Sequence, residues 1–330
     1  MAVTANTNET YDVTTIREDL SEAMASITPT ETVFMSTIGS RNVDNTYFEW
    51  SEVDLAATGA NRQIEGDVGI ANTAPTNAVR KGGYTQISAK VVEVSSTNQA
   101  VNGVANAQTV AKQVAYKLSE LKRDMEAMLL DNVAAAAGAS GTARQTAGLP
   151  AYLTTNVSRG AGGANGTTSG AGEAGSVNAA ATDGTLRPLT EALFKGVIAD
   201  CWNAGATPSV VMCGSGQKQK ISTFTGNATR FKEAEDSKLN AAIDVYISDF
   251  GEVQVVPNRH MRVRTVGGAD FTPDVFILDP SYAEVAYLQT AKQEALAKTG
   301  LSERRLISCE YGLQVTSQKA HGVVADVNAA

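Results

Sequence analysis

Small and apolar residues recur at helical spacing through the stretch from Asn98 to Ala137: Val101, Val104, Ala107, Val110, Ala111, Val114, Ala115, Leu118, Leu121, Met125, Met128 and Leu129. No proline interrupts them, so the spacing predicts a long amphipathic helix. Gly103 costs helicity, which leaves the secure part from about Ala105 onward. At 1.5 Å per residue, roughly 35 residues make a rod about 50 Å long. Lys112, Lys117, Glu120, Lys122, Arg123, Asp124 and Glu126 fall between the apolar positions. Among them Glu120 with Arg123, and Lys122 with Glu126, are spaced to meet on a solvated face. The seam is alanine and valine more than leucine, which suits packing on a sheet better than a coiled coil.

Ahead of this helix, Asp12 to Ser26 is weakly helical, and Pro29 to Gly39 places a turn before an apolar cluster, an arm in need of another surface. Thr46 to Val53, with Tyr47, Phe48 and Trp50, and Tyr84 to Ser95, with Ile87, Val91, Val92 and Val94, read as strands. The long polar middle between them has no core of its own, so the pair predicts an extended hairpin reaching toward a neighbour. Behind the helix, Gly138 to Gly184 is rich in Gly, Ala, Ser and Thr. It reads as a flexible surface insertion with one ordered piece near Leu149 to Leu153.

Regular alternation of helix and strand then resumes. Thr190 to Ala204 and Ser215 to Phe224 read as helices, Ser209 to Cys213 and Val275 to Leu278 as buried strands, and Ala242 to Ile247 with Val253 to Val256 as a hairpin. Glu284 to Leu288 continues the strand pattern. In Leu306 to Thr316, Ile307, Cys309, Tyr311, Leu313 and Val315 share one face, which we expect to cover the long helix.

Composition narrows the function. The 330 residues are 43% hydrophobic and 19% charged, enough for a sizeable core. A formal charge of −8 argues against a dedicated nucleic-acid binder. Cys201, Cys213 and Cys309 show no disulfide framework. The start has no signal-peptide pattern and nothing approaches a membrane span, so a reducing aqueous compartment is expected.

Candidate chemistry is sparse. Gly170-Ala171-Gly172-Glu173-Ala174-Gly175 has dinucleotide-fingerprint spacing without the flanking strand and helix that the chemistry needs. Gly214-Ser215-Gly216-Gln217-Lys218 lies between a strand and a helix but lacks a phosphate-loop ending, and a plain turn with a serine cap is favoured. His260 and His321 have no metal-site spacing with the cysteines, and no nucleophile elbow is present. His260, Arg259, Arg262 and Arg264 form the most basic spot, expected to be exposed or in a subunit contact. No cofactor or metal is expected. Poor in chemistry and rich in reaching elements, the chain points to assembly.

The order of its parts resembles that of a group of tailed-bacteriophage major capsid proteins. The residues that carry the likeness are Pro29 to Gly39, Phe48-Glu49-Trp50-Ser51, Ile64-Glu65-Gly66-Asp67, Tyr84-Thr85-Gln86-Ile87, Ser96 to Ala100, Leu121-Lys122-Arg123-Asp124-Met125-Glu126 and Thr142 to Leu149. The resemblance implies an α+β, Hong Kong 97-type capsid fold. It assigns 1–44 to an N-arm, 45–94 to an extended hairpin loop, and 95–185 to a peripheral domain with a spine helix and the Gly-rich insertion. Residues 186–288 become an axial domain and 289–330 a return to the peripheral domain. It further implies hexamers and pentamers closing into an icosahedral head around double-stranded DNA, with a portal protein, a separate scaffolding protein and a decoration protein as partners. Assembly would take place in the host cytoplasm, without a membrane. Phe34, Phe48 and Trp50 are the expected anchors of the inter-subunit contacts, and Glu65, Asp67, Lys81 and Arg259 the charges at their rim. The alternatives are a soluble α/β enzyme built on Leu186 to Leu288 and a cellular nanocompartment shell.

Overall fold

The computed structural model describes residues 27–63, 65–66, 73–101, 109–169, 175–224, 245–298 and 300–328. The expected helical segment at Asp12 to Ser26 and most of the Gly170 motif lie outside them.

The arm begins as a short helix, α1 (Val33–Thr37), followed by β1 (Gly39–Asn42). β2 (Tyr47–Glu52) pairs antiparallel with β3 (Val79–Tyr84), Tyr47 opposite Tyr84 and Glu52 opposite Val79. The hairpin therefore ends at Tyr84 instead of running on to Ser95, and β4 (Gln86–Ser95) joins a different sheet. Thr85 makes the break: it is fully buried, its N–H donates to the Thr46 carbonyl (2.9 Å) and its hydroxyl to Glu310 (2.7 Å).

Two described helices stand where one long rod is predicted: α2 (Ser96–Ala100) and the 21-residue α3 (Val110–Leu130), about 32 Å long. The Thr109 side chain caps α3 by accepting from Lys112 N. The helix stops before the alanines 134–137 because other backbone partners take them. Ala135 N donates to the Val177 carbonyl (2.9 Å), and Ala136 exchanges hydrogen bonds with Gln145.

The described part of the glycine-rich stretch is packed chain, not the flexible insertion expected. It contains α4 (Leu149–Tyr152), β5 (Val157–Ser158), β6 (Thr167–Thr168) and β7 (Val177–Ala179), and leads to β8 (Arg187–Pro188). Every residue of α4 is buried. Its glycines permit close backbone approach: a Cβ on Gly148 would sit 1.7 Å from the Asp131 carbonyl oxygen, and one on Gly160 2.1 Å from that of Thr185.

The remaining elements follow the hydrophobic pattern in part, and the strands at 264–266, 269–271, 322–324 and 327–328 are not among those it predicts. They are α5 (Glu191–Asn203), β9 (Val210–Cys213), α6 (Ser215–Ser222), β10 (Val245–Ser248), β11 (Gly251–Pro257), β12 (Arg264–Val266), β13 (Ala269–Phe271) and β14 (Val275–Leu278). The last strands are β15 (Ala283–Ala295), β16 (Ser302–Val315), β17 (Gly322–Val324) and β18 (Val327–Asn328). Gly214 is the N-cap of α6 and no side chain caps that helix, so the expected serine cap is absent.

Two sheets organise the molecule. One has the order β10-β11-β9-β14-β17-β5, the other β1-β15-β16-β4; β2–β3, β6–β7, β12–β13 and β8–β18 are separate pairs. In the six-stranded sheet, Val211, Cys213, Val275 and Ile277 face α5 and α6, while Val210, Met212, Phe276 and Leu278 join the larger core on the other side. In the four-stranded sheet, Ile307, Cys309, Tyr311, Leu313 and Val315 share a core with Leu121, Met125 and Leu129 of α3, as the alternation predicts. Glu310, Gly312 and Gln314 on the opposite face of β16 are buried as well, beyond the one-faced burial expected.

Candidate assembly interface

Three anchorages hold the reaching parts to this body. The first lies on α3, where Glu126 is fully buried. The first N–H groups of a helix have no partner inside it, and Thr32 supplies α1 with no side-chain cap. Glu126 takes that role from another helix, accepting from Phe34 N (2.6 Å) and Met35 N (2.9 Å). It also accepts from the Asn258 amide at 2.7 Å. Asn258 sits just past β11, its N–H bonded to the Cys213 carbonyl (2.9 Å), so one carboxylate joins arm, spine and six-stranded sheet. The expected Lys122–Glu126 surface pair does not form. Glu120 pairs instead with Lys117 (2.8 Å) and, with Asp124, faces Lys90 of β4.

The second anchorage is the base of the hairpin. Phe48 lies against Gly83 and Gly312, where added Cβ atoms would come within 2.9 and 2.8 Å of its ring. Trp50 stacks on Phe48 with centroids 5.9 Å apart and meets Tyr152, whose hydroxyl donates to the Leu313 carbonyl (3.1 Å). Lys81 is buried and paired with Glu52, and Lys319 with Asp54. Beyond this base every described residue from 53 to 78 is exposed, Leu55 at 85%.

The third is an ionic cluster that the arginine-rich spot at 259–264 builds inward. Arg262 donates to both oxygens of Asp183 (2.8 and 2.9 Å) and to Asp274 (3.1 Å). Arg264 pairs with Asp326 (2.9 Å), which also accepts from Gly160 N and Gly184 N and adopts a left-handed φ of 58°. Burial works against the Asp183 charge, but the Arg262 and Arg264 guanidinium groups hold its carboxyl below the ordinary range. Of the spot expected to be exposed or in a subunit contact, Arg262 and Arg264 turn inward, His260 is half-buried and Arg259 is exposed.

The expected contact residues thus divide. Phe34, Phe48, Trp50 and Lys81 are covered by their own chain, whereas Glu65 and Arg259 are exposed. Asp67 lies outside the described residues. Glu126, Asn258, Asp183 and Asp326 went unread in the sequence, because their partners lie far along the chain: 92 residues separate Glu126 from Phe34 and 132 separate it from Asn258. Burial pushes the thiols of Cys201 and Cys213 up to about 12, and that of Cys309 to about 11, far from the reactive thiolate range.

An arm docked on a spine helix, a hairpin held at its base with its loop exposed, a four-stranded sheet under the spine and a second α/β layer define a capsid subunit of the Hong Kong 97 type. Solved structures of similar fold include the capsid of a native GTA particle (TM-score 0.62, 14% identity, 96% of this chain and 97% of that one). Gordonia phage Cozz matches at a TM-score of 0.61 with 13% identity over 99% and 98% of the two chains. The chain belongs to the SU10 major capsid protein family, whose family model matches residues 3–328. The major capsid protein of Escherichia phage Phieco32 is 32% identical over 133 residues, a stretch covering 40% of this chain and 35% of that relative.

Proposed function

We propose that this chain is the major capsid protein of a tailed double-stranded DNA phage, and that hexamers and pentamers of it close the icosahedral head. Residues 1–44 act as the N-arm and 45–84 as the extended loop, shorter than the expected 45–94 because β4 belongs to the four-stranded sheet; 85–185 and 289–330 act as the peripheral domain and 186–288 as the axial domain. The observation that carries the reading is the exposure of every described residue of the loop, 53–63, 65–66 and 73–78, on a tightly held base, with Val53 and Leu55 offered for burial against another subunit. Glu65 and Asp67 of that loop, and Arg259, lie at the rim of the contacts. Phe34, Phe48, Trp50 and Lys81 act from within, holding arm and hairpin in the geometry that neighbours meet. Many weak contacts of this kind sum through symmetry. Its role is structural and not enzymatic, in a head assembled in the host cytoplasm with portal, scaffolding and decoration proteins.

The test is electron microscopy of the full chain expressed with its scaffolding protein. Polyhedral particles are expected, and a compact monomer whose melting responds to a small ligand overturns the reading. Deleting Gly59 to Pro75 leaves a folded subunit that closes no shell; normal particles from that deletion overturn the loop assignment.

A further inference from the structure

The four-stranded sheet has an open edge. β1 covers β15 from Glu284 to Tyr287 only, and no other described strand lies on that side, so the edge is bare from Leu288 to Ala295, with every residue from Gln289 onward exposed. Such an edge carries backbone N–H and C=O groups ready to pair with a further strand. The ladder on the other side fixes which residues supply them. Leu296 N donates to the Arg304 carbonyl (3.1 Å), while Glu294 lies opposite Leu306 and Lys292 opposite Ser308. Hydrogen-bonded and non-bonded pairs alternate along antiparallel strands, so 292, 294 and 296 turn their backbone groups to β16, and Gln293 and Ala295 turn theirs outward.

The side chains add a second condition. Lys292 and Glu294 share one face of the strand, are exposed, and make no ion pair among the described residues. Consider this edge paired antiparallel with itself across a two-fold axis. An axis at Lys292 sets lysine against lysine, and one at Glu294 sets glutamate against glutamate. Axes at 291 or 295 leave neither charge opposite its complement, and an axis between two residues joins outward backbone groups to inward ones. An axis at Gln293 meets every condition: the two Gln293 residues exchange backbone hydrogen bonds, and Lys292 lies opposite the second copy's Glu294 on both sides of the axis. These are non-bonded pairs, the kind that brings side chains closest. The second strand then ends with its Ala295 opposite Ala291, short of the arm at Tyr287.

We propose that a second copy of this chain docks on β15, edge to edge across a two-fold axis at Gln293, so that the four-stranded sheets of two subunits run on as one. The inference rests on the capsid reading above, since a closed shell of repeated subunits supplies the axis. So short an edge contact buries less surface than a stable free dimer needs, so it acts inside the shell, where many such contacts sum.

The test is cross-linking in particles assembled from the full chain, with Cys309→Ser in every variant to remove the nearby thiol. Gln293→Cys should give disulfide-linked dimers on mild oxidation, because a bonded antiparallel pair holds its Cα atoms about 5.5 Å apart. Ala295→Cys should give none, its two copies standing about 14 Å apart along the strands. Independently, Lys292→Glu and Glu294→Lys should each lower the yield of closed particles at least about threefold, and the two together should restore it.

Particles of Gln293→Cys without dimers overturn the proposal, as do dimers of Ala295→Cys in equal amount, or a disulfide from position 293 to any other protein. If Gln293→Cys forms no particles, the charge exchange decides: normal yield from the single variants, or no recovery in the double one, overturns the proposal. Thermal melts of the free subunits check that each variant is folded. Failure of these tests in a chain that forms shells overturns this inference alone; an unmodified chain that forms no shells overturns the capsid reading and this inference with it.

Discussion

The two sheets finish their cores in different ways. The six-stranded sheet is covered on both sides, and all four residues of β9 and of β14 are buried. Such strands read as continuous apolar runs, Val-Val-Met-Cys and Val-Phe-Ile-Leu, with no solvent face to mark. The four-stranded sheet is covered by α3 on one side, while its other side leaves Ile87 at 60% and Val91 at 47% exposed on β4. One layer is a complete core, and the other keeps apolar surface in reserve on the same sheet that anchors the arm. That asymmetry is the expected mark of a subunit folded before it assembles.

Substitutions separate the two behaviours. Phe276→Ala, at a fully buried position facing the larger core, should cost about 3–5 kcal/mol in urea unfolding of the free subunit. His321 tests the seam between β16 and β17. It is buried, accepts from Asp279 N at 3.3 Å, and burial pushes its imidazole down to about 4. The unfolded chain therefore binds the extra proton first: stability is full above about pH 6.5 and falls by about 3 kcal/mol as the pH drops toward 4. His321→Gln should flatten that acid limb in melts recorded against pH.

Glu126→Gln replaces one acceptor oxygen by a donor facing other donors, and should cost about 1–3 kcal/mol. Amide hydrogen exchange should then rise at Phe34 and Met35 before it rises in β9 or β14. The smallest effect belongs to Ile87→Ser with Val91→Ser. Subunit stability should change by no more than about 0.5 kcal/mol while the yield of closed particles drops. A loss as large as that of Phe276→Ala would show that the outer face is already covered within one chain.

Local periodicity made α5, β9 and β14 legible to within a residue at each end, whereas β16 begins four residues ahead of the alternation that marks it. Where it failed, distant backbone intervened. The alanines 134–137 have helical propensity, yet Val177 and Gln145 take their hydrogen bonds. Gly148 and Gly160 belong to a composition that suggests flexibility, but their missing Cβ atoms serve close packing. Arg262 and Arg264 resemble a solvated basic patch until Asp183, Asp274 and Asp326 arrive from three other segments. The motif order carried the fold class, whereas the buried carboxylate at Glu126 has no local signature at all.

That carboxylate has a mechanical consequence. Three short hydrogen bonds converge on its two oxygens, and such bonds weaken over a few tenths of an ångström. Arm, spine and six-stranded sheet share this one joint, so a displacement of any of them strains the hydrogen bonds of the other two, and the three are expected to move as one piece.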